Sequence, residues 1–351
     1  MNRLHNGIRY QGNYYTSSPL KNSLRAFLSS ILRKTKRLVK RTLGILMRPF
    51  EKDPIIIMWI DGGFCSQIFR YLKGRWFAVR GFNVKYDISW YDNNPVDCLH
   101  TEHRDFLLLK CFPDVDFEVA SHDELQRYRR LYSTNIHNTA KKYHGHYEEL
   151  KAPLYNYWYD LDDIIATEKE FRELAQYLHW EKLHDILGTE ARKIEQSIIR
   201  DKQSGLKVIG LHVRRGDMAV KKFAHGGKVL TSKYYEHVLN MAVDENSVVY
   251  IFSNGYDFVA SDVVPYVKCR YILADKTSEV YEDIYLCSLC NVQIAGQGGL
   301  ANMAYSFNAN DDRKLIRPFL RENDEERLPR YYAGSSGTVE FVRLTEDMYE
   351  H

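Results

Sequence analysis

Five short apolar runs, each of strand length, are spread along the chain with helix-length segments between them. They are residues 55–60 (IIIMWI), 83–91 (NVKYDISWY), 206–213 (LKVIGLHV), 247–254 (SVVYIFSN) and 269–274 (CRYILA). Runs this short and rich in Val, Ile and Tyr read as strands, and strands alternating with helical patterns predict βαβ units and parallel sheets. The first unit is complete: residues 55–60, a turn at DGGFCSQ, a helix over SQIFRYLKGRWFAVRG closed by Gly81, then residues 83–91. The second set begins at residue 206, and residues 282–307 read as helix, strand, glycine turn and helix. Residues 121–200 read as largely helical, and DKQSG (201–205) as a polar break. The expected fold is α/β, with two Rossmann-like domains facing across a cleft. Residues 51–203 form the first, residues 204–351 the second, and residues 1–50 an extension.

Charge is divided unequally between these parts. Residues 1–50 hold eleven Lys/Arg and no Asp/Glu, which leaves 38 of the 49 basic residues against all 46 acidic ones, a net of −8. A body of that sign argues against nucleic acid as a partner. Within the extension, SLRAFLSSILRKTKRLVKRTLGILMRPF (23–50) has helical periodicity. Leu24, Phe27, Leu28, Ile31, Leu32, Leu38, Val39, Ile45 and Leu46 share one side, and Arg33, Lys34, Lys36, Arg37, Lys40 and Arg41 the other. Ser23 is the expected N-cap, and Pro49 ends the helix. Such a basic amphipathic helix either lies on an anionic membrane surface, here through residues 23–48, or packs on protein. No apolar run approaches the roughly 20 residues that span a bilayer. The six cysteines suggest no disulfide framework, and CxxC at Cys287 and Cys290 lacks a second ligand pair. Buried thiols in a reducing cytosol are expected, with a peripheral place at the inner face of the cell membrane.

The run 208–220, VIGLHVRRGDMAV, ends a buried strand on two guanidiniums. Alternation places His212 and Arg214 on one face and Arg215 on the other. One arginine then faces a cleft, and Arg215 is expected to engage Asp217. A planar guanidinium donates two parallel hydrogen bonds, which suits an anion such as a diphosphate. AGQGGLANMAY (295–305) places Gly298 and Gly299 just before a helix, where bare N–H groups bind phosphate. Asp61, at the mouth of the first strand beside Gly62 and Gly63, stands either as a general base or as an N-capping residue. DLDD (160–163) is read as a solvated helix start, and no metal is expected. P-loop, GxSxG, HExxH and GxGxxG patterns do not occur.

Together these segments resemble the alpha-1,2-fucosyltransferases of the bacterial type, glycosyltransferase family 11. HVRRGD matches the HxRRxD motif of that family, and GGFCSQIFRYLKGRWFAVRGFNVKYDISWY resembles its opening GGLGNQMFQYA segment. RDFLLLKCFP, PLYNYWYD, TSKYYEHVLNMA, YIFSNGYDFV and residues 282–308 follow in the family's order, from about residue 55 to 310. The resemblance implies a GT-B-like two-domain fold and metal-independent, inverting transfer of fucose from GDP-fucose to a galactoside-type glycan or glycolipid acceptor. It implies that Arg214 holds the diphosphate, with His212, Arg215 and Asp217 in its motif. Ser253 matches a serine of the FSDD segment, Asn254 replaces the following aspartate, and Asp283 matches an acidic position beside the nucleotide. Gly298 and Gly299 stand where two serines are usual, Cys65 and Ser66 replace Gly-Asn, and Asn302 and Met303 replace a Trp pair, so the chain is a divergent member. Asp61 is not a usual residue of the motif. The alternatives are a transferase for another GDP-sugar and a catalytically silent nucleotide-binding or membrane-associated protein.

Overall fold

The computed structural model describes residues 19–93, 95–97, 99–100, 103–132, 151–156, 167–320 and 337–350. A helix α1 (Pro19–Met47) leads into strand β1 (Ile55–Trp59), helix α2 (Phe64–Ala78) and strand β2 (Asn83–Asp87). Helix α3 (His122–Leu131) and strand β3 (Leu154–Asn156) complete a first parallel sheet of order β2-β1-β3. Helices α4 (Glu168–Ala175) and α5 (Thr189–Gln203) then lead to the second sheet. There β4 (Lys207–Val213), α6 (Ser232–Ala242), β5 (Ser247–Ser253), β6 (Arg270–Leu273), α7 (Val280–Ser288), β7 (Val292–Ala295), α8 (Leu300–Phe307), β8 (Lys314–Phe319) and β9 (Thr338–Arg343) follow. All six strands are parallel, in the order β9-β8-β7-β4-β5-β6. The class is α/β with parallel sheets.

Both sheets are apolar on both faces, as parallel sheets must be when helices cover each side. In β1, Ile56 and Met58 join the core with α2, while Ile55 and Ile57 pack on Leu125 and Tyr128 of α3. In β4, Ile209, Leu211 and Val213 face Tyr234, Tyr235 and Val238 of α6. Val208 lies in the opposite core, and Gly210 admits the Cys287 and Cys290 sulfurs, which would lie 2.9 and 3.1 Å from a Cβ there. That opposite core runs without interruption from β1 and α2 to α7 and α8, so the two sheets share it.

Strand order decides where ligands can sit. The chain moves outward from β4 to β5 and β6, then returns to place β7 on the other side of β4. Neighbouring crossovers therefore leave β4 and β7 in opposite directions and open a crevice beyond their carboxyl ends. The first sheet repeats the arrangement, with β2 and β3 flanking β1.

Three expectations change. Ser23 does not cap α1, because it lies within the helix. Residues 121–200 include the strand β3, too short at three residues for alternation to show. β8 and β9 add two strands beyond the five apolar runs. DLDD (160–163) lies outside the described residues.

Candidate functional site: a basic crevice at the two switch points

Strand β4 ends at Val213, and Arg214 follows directly at the second crevice. Arg214 Nη2 donates to Asp217 Oδ1 at 2.7 Å. The guanidinium is thus oriented before any ligand arrives. Arg215 turns the other way: its Nη1 donates to the Leu230 carbonyl at 3.1 Å and its guanidinium lies 4.0 Å from the Phe258 ring centre. The expected pairing of Arg215 with Asp217 is therefore corrected, since Arg214 takes that carboxylate. The cause is the short helical turn at Gly216–Ala219, which brings Asp217 back beneath Arg214.

Ser253 and Asn254, at the end of β5, brace this turn. The Ser253 hydroxyl donates to the Val213 carbonyl at 2.7 Å and accepts from the Gly255 N–H at 2.9 Å. Asn254 Oδ1 accepts from the Arg215 N–H at 2.8 Å. Its Nδ2 lies 2.7 Å from where a Cβ on Gly216 would be, and Gly216 has φ +58°. With its one proton committed to Val213, Ser253 retains only acceptor capacity toward a ligand.

His212 is buried, and its Nδ1 has no hydrogen-bond partner. Burial, and then the Arg214 charge, push its pKa down to about 3. The ring is neutral at physiological pH and serves as a hydrogen-bonding group rather than a charged one. A buried polar atom left unpaired costs about 1–3 kcal/mol, which a ligand at the crevice could recover.

The glycine turn approaches the arginine strand closely. A Cβ on Gly296 would lie 2.9 Å from the His212 carbonyl oxygen and 3.3 Å from the Arg214 nitrogen. Gly298 has φ +94°, and Gly299 is the N-cap of α8. Gln297 Oε1 accepts from the His225 N–H at 2.9 Å, and its Nε2 donates to the Lys228 carbonyl, tying the loop after Arg214 to the turn. Gly296 and Gln297 were not singled out from sequence, although both lie within AGQGG.

The first sheet faces this turn from the opposite side. A Cβ on Gly299 would lie 3.4 Å from the Cys65 Cβ on α2. Burial pushes the Cys65 thiol up to about 12, and the Arg214 guanidinium pulls it back. The switch-point loops of the two sheets therefore meet. Asp61 lies two residues beyond β1, and its Oδ1 accepts from Arg70 Nη2 at 3.3 Å. The N-cap of α2 is Gly63, so the capping alternative for Asp61 is set aside. Burial raises the Asp61 pKa above the usual carboxylate range, against the opposing pull of Arg70. Tyr91, another residue missed from sequence, donates to the Gly62 carbonyl at 2.9 Å and lies within the field of Asp61.

Asp283 stands on α7, which packs against the central strands β4 and β5. Its Oδ1 accepts from Thr277 Oγ1 at 2.7 Å, and burial raises its pKa to about 7.

The carboxyl ends of β4 and β7 thus join a fixed guanidinium, an imidazole with a buried unpartnered Nδ1 and a glycine-lined helix N-terminus, while Asp61 stands on the first sheet beside Arg70. No family model matches the chain, and no curated protein matches it. Among solved structures it is similar to the NodZ alpha-1,6-fucosyltransferase soaked with GDP-fucose, at 13% identity and a TM-score of 0.42, over 73% of this chain and 93% of that one. It is also similar to the fucosyltransferase NodZ from Bradyrhizobium, at 13% identity and a TM-score of 0.40, with the same coverage. A third is POFUT1 in complex with GDP-fucose, at 8% identity and a TM-score of 0.34, over 83% of this chain and 99% of that one.

Proposed function

We propose that the chain is an inverting glycosyltransferase that moves fucose from GDP-fucose to a hydroxyl of a galactoside-type acceptor, as an alpha-1,2-fucosyltransferase of surface polysaccharide synthesis. The observation that carries this reading is the placement of Arg214 against the Gly296–Gly299 turn at the switch point of the second sheet. In this reading residues 204–351 form the GDP-sugar side and residues 51–203 the acceptor side. Arg214 donates to the diphosphate through the N–H groups that Asp217 leaves available. The His212 Nδ1 and the amides at Gly298 and Gly299 supply neutral contacts. Asn254 and Ser253 hold the arginine turn, Arg215 anchors it to the body, and Asp283 accepts hydrogen bonds from the nucleotide.

The acceptor oxygen attacks the anomeric carbon, the bond from that carbon to the diphosphate oxygen breaks with inversion, and GDP leaves with the electron pair. The hydroxyl proton passes to Asp61. Neutralising the departing diphosphate is the main electrostatic task, and it rests on groups of this chain, so the reaction is read as metal-independent. A basic helix at residues 23–48 fits a cytoplasmic, peripheral position at an anionic membrane surface, where a glycolipid acceptor is met.

The test is release of GDP from GDP-fucose and from other GDP-sugars against a panel of galactosides. Turnover of GDP-fucose alone supports the reading. Turnover of a different GDP-sugar replaces the donor, and binding of GDP without turnover of any donor leaves the silent nucleotide-binding alternative.

A further inference from the structure

Helix α1 meets the body through the side opposite its apolar stripe. Gly44 is buried, and a Cβ there would lie 2.3 Å from the Leu131 carbonyl oxygen at the end of α3. Only a glycine allows that approach. With residues advancing about 100° each around a helix, Phe27, Ile31, Leu38, Val39, Leu43, Ile45 and Leu46 fall within one arc of about 160°. Gly44 lies diametrically across from the middle of that arc. Ser30 and Met47, the partly covered residues of the helix, lie on the Gly44 side. The stripe points into solvent: Phe27 is 62% exposed, Leu38 66% and Leu46 61%, and Phe50 just beyond the helix is 74% exposed.

The edges of the stripe carry charge. Lys34 falls just outside one edge of the arc and Lys36 just outside the other, and both are exposed. Long basic side chains at the borders of an apolar stripe keep their ammonium groups in the headgroup layer while the stripe sinks below it. A second copy of this chain is a poorer occupant. Residues 1–50 bring eleven cations and no anion, so two such helices would meet with like charges and nothing to pair them. No helix among the described residues is long and apolar enough to cross a membrane.

We propose that α1 lies in the plane of an anionic membrane surface, with the Phe27–Leu46 stripe in the lipid, while Gly44 keeps it docked on the catalytic body. The acceptor reached from there is one carried on lipid. That second statement rests on the transferase reading above, whereas the membrane contact does not.

The experiment is flotation of the full chain with vesicles of phosphatidylserine and phosphatidylcholine, or of phosphatidylcholine alone. The expected result is flotation with the anionic vesicles, reduced by added salt and by K34E/K36E, by about fivefold for each of the two lysines. Leu38→Ser with Leu46→Ser should abolish flotation and leave GDP release with a soluble galactoside unchanged. Both leucines are exposed, so folding is not at risk. Transfer to a galactoside glycolipid in anionic vesicles should fall in the same variant. Equal flotation with and without the two leucines overturns the membrane contact, as does a salt-resistant dimer that the leucine variant dissolves. Flotation as expected, with equal transfer to lipid-borne and soluble acceptors, overturns only the lipid-carried acceptor. Flotation without any transfer counts against the transferase reading and leaves the membrane contact standing.

Discussion

Arg214 donates from Nη2 to Asp217 Oδ1 across 2.7 Å, three residues further along the same turn. The pair is partly buried, and it leaves the remaining guanidinium N–H groups to a ligand. A fork fixed in this way loses little freedom when it meets a diphosphate. Arg214→Ala should reduce turnover by about 10²–10³-fold, the usual worth of one preorganised donor, with the fold retained. Arg214→Lys should fail nearly as badly, because a point charge replaces a planar fork. Asp217→Asn keeps a neutral hydrogen bond and should cost about tenfold. Steady-state rates with GDP-fucose and a galactoside check all three. Activity of Arg214→Ala within tenfold of the parent removes Arg214 from the donor site.

Asp283 predicts a pH dependence with two signs. Its pKa in the folded chain is about 7, against an ordinary value near 3.8 when unfolded. The folded state therefore binds the proton more tightly. Its contribution to stability is present below about pH 4 and is lost as pH rises through about 7. Asp283→Asn should melt higher than the parent at pH 8 and similarly at pH 4. Nucleotide binding runs the other way, since only the ionised carboxylate accepts through both oxygens from adjacent N–H groups of the base. Affinity for GDP should rise from pH 5.5 to 8 in the parent by up to about tenfold per pH unit below the midpoint, and less steeply in Asp283→Asn. Calorimetric titration in both proteins tests this, and equal slopes would remove Asp283 from the nucleotide site.

Much of this arrangement was legible in the sequence where local pattern governs it. The run ending at Val213 is one face of a core on each side, so period-two alternation placed His212 and Arg214 together. Alternation stops where the strand stops, however. Beyond Val213 the backbone turns, with Arg215 at φ −119° and ψ −134°, and the i,i+3 return to Asp217 could not be seen from strand geometry. Strand β3 is three residues long, and its pairing is set by Ile56 and Met58 across the sheet rather than by its own pattern. Gly296 looked like any turn glycine because the close passage of the His212 carbonyl is a tertiary fact. Tyr91 was missed for the same reason, since its bond to Gly62 spans 29 residues.

Gly296→Ala should be destabilising. The added methyl group meets the His212 carbonyl oxygen and the Tyr235 hydroxyl, each at 2.9 Å, and the carbonyl belongs to a central strand that cannot yield. Overpacking of this kind costs about 1–3 kcal/mol. Thermal unfolding should show a lowered Tm, with weakened GDP binding as the turn moves off Arg214. A variant with unchanged Tm would mean that the turn adapts and that its closeness to β4 is incidental.

EDTA should leave turnover unchanged, because the proposed counter-charge for the diphosphate is the Arg214 guanidinium, fixed at 2.7 Å from Asp217, rather than an exchangeable ion. Rates before and after chelation, with Mn²⁺ and Mg²⁺ added back, provide the measurement. Strict dependence on either ion would turn attention to Asp160 and Asp162.

In the proposed reading Asp61 takes the acceptor proton, and its burial favours that role. It follows β1 at the switch point of the first sheet, four residues before Cys65, whose Cβ lies 3.4 Å from where a Cβ on Gly299 would stand. It is not the N-cap of α2, which is Gly63, although the Ser66 hydroxyl in the first turn of that helix also bonds its carboxylate. Burial raises its pKa and thereby its proton affinity, while Arg70 at 3.3 Å keeps the ionised form accessible. Asp61→Asn should lose about 10²–10⁴-fold in turnover, the usual range for general base catalysis. The acid limb of the parent's pH–rate profile should lie above the ordinary carboxylate range, and the variant should lack it. GDP affinity should hold, because the proton comes from the acceptor and not from the nucleotide. Loss of GDP binding in Asp61→Asn would instead make the Asp61–Arg70 pair a support of the donor loop. Turnover within tenfold of the parent would move the base to another residue.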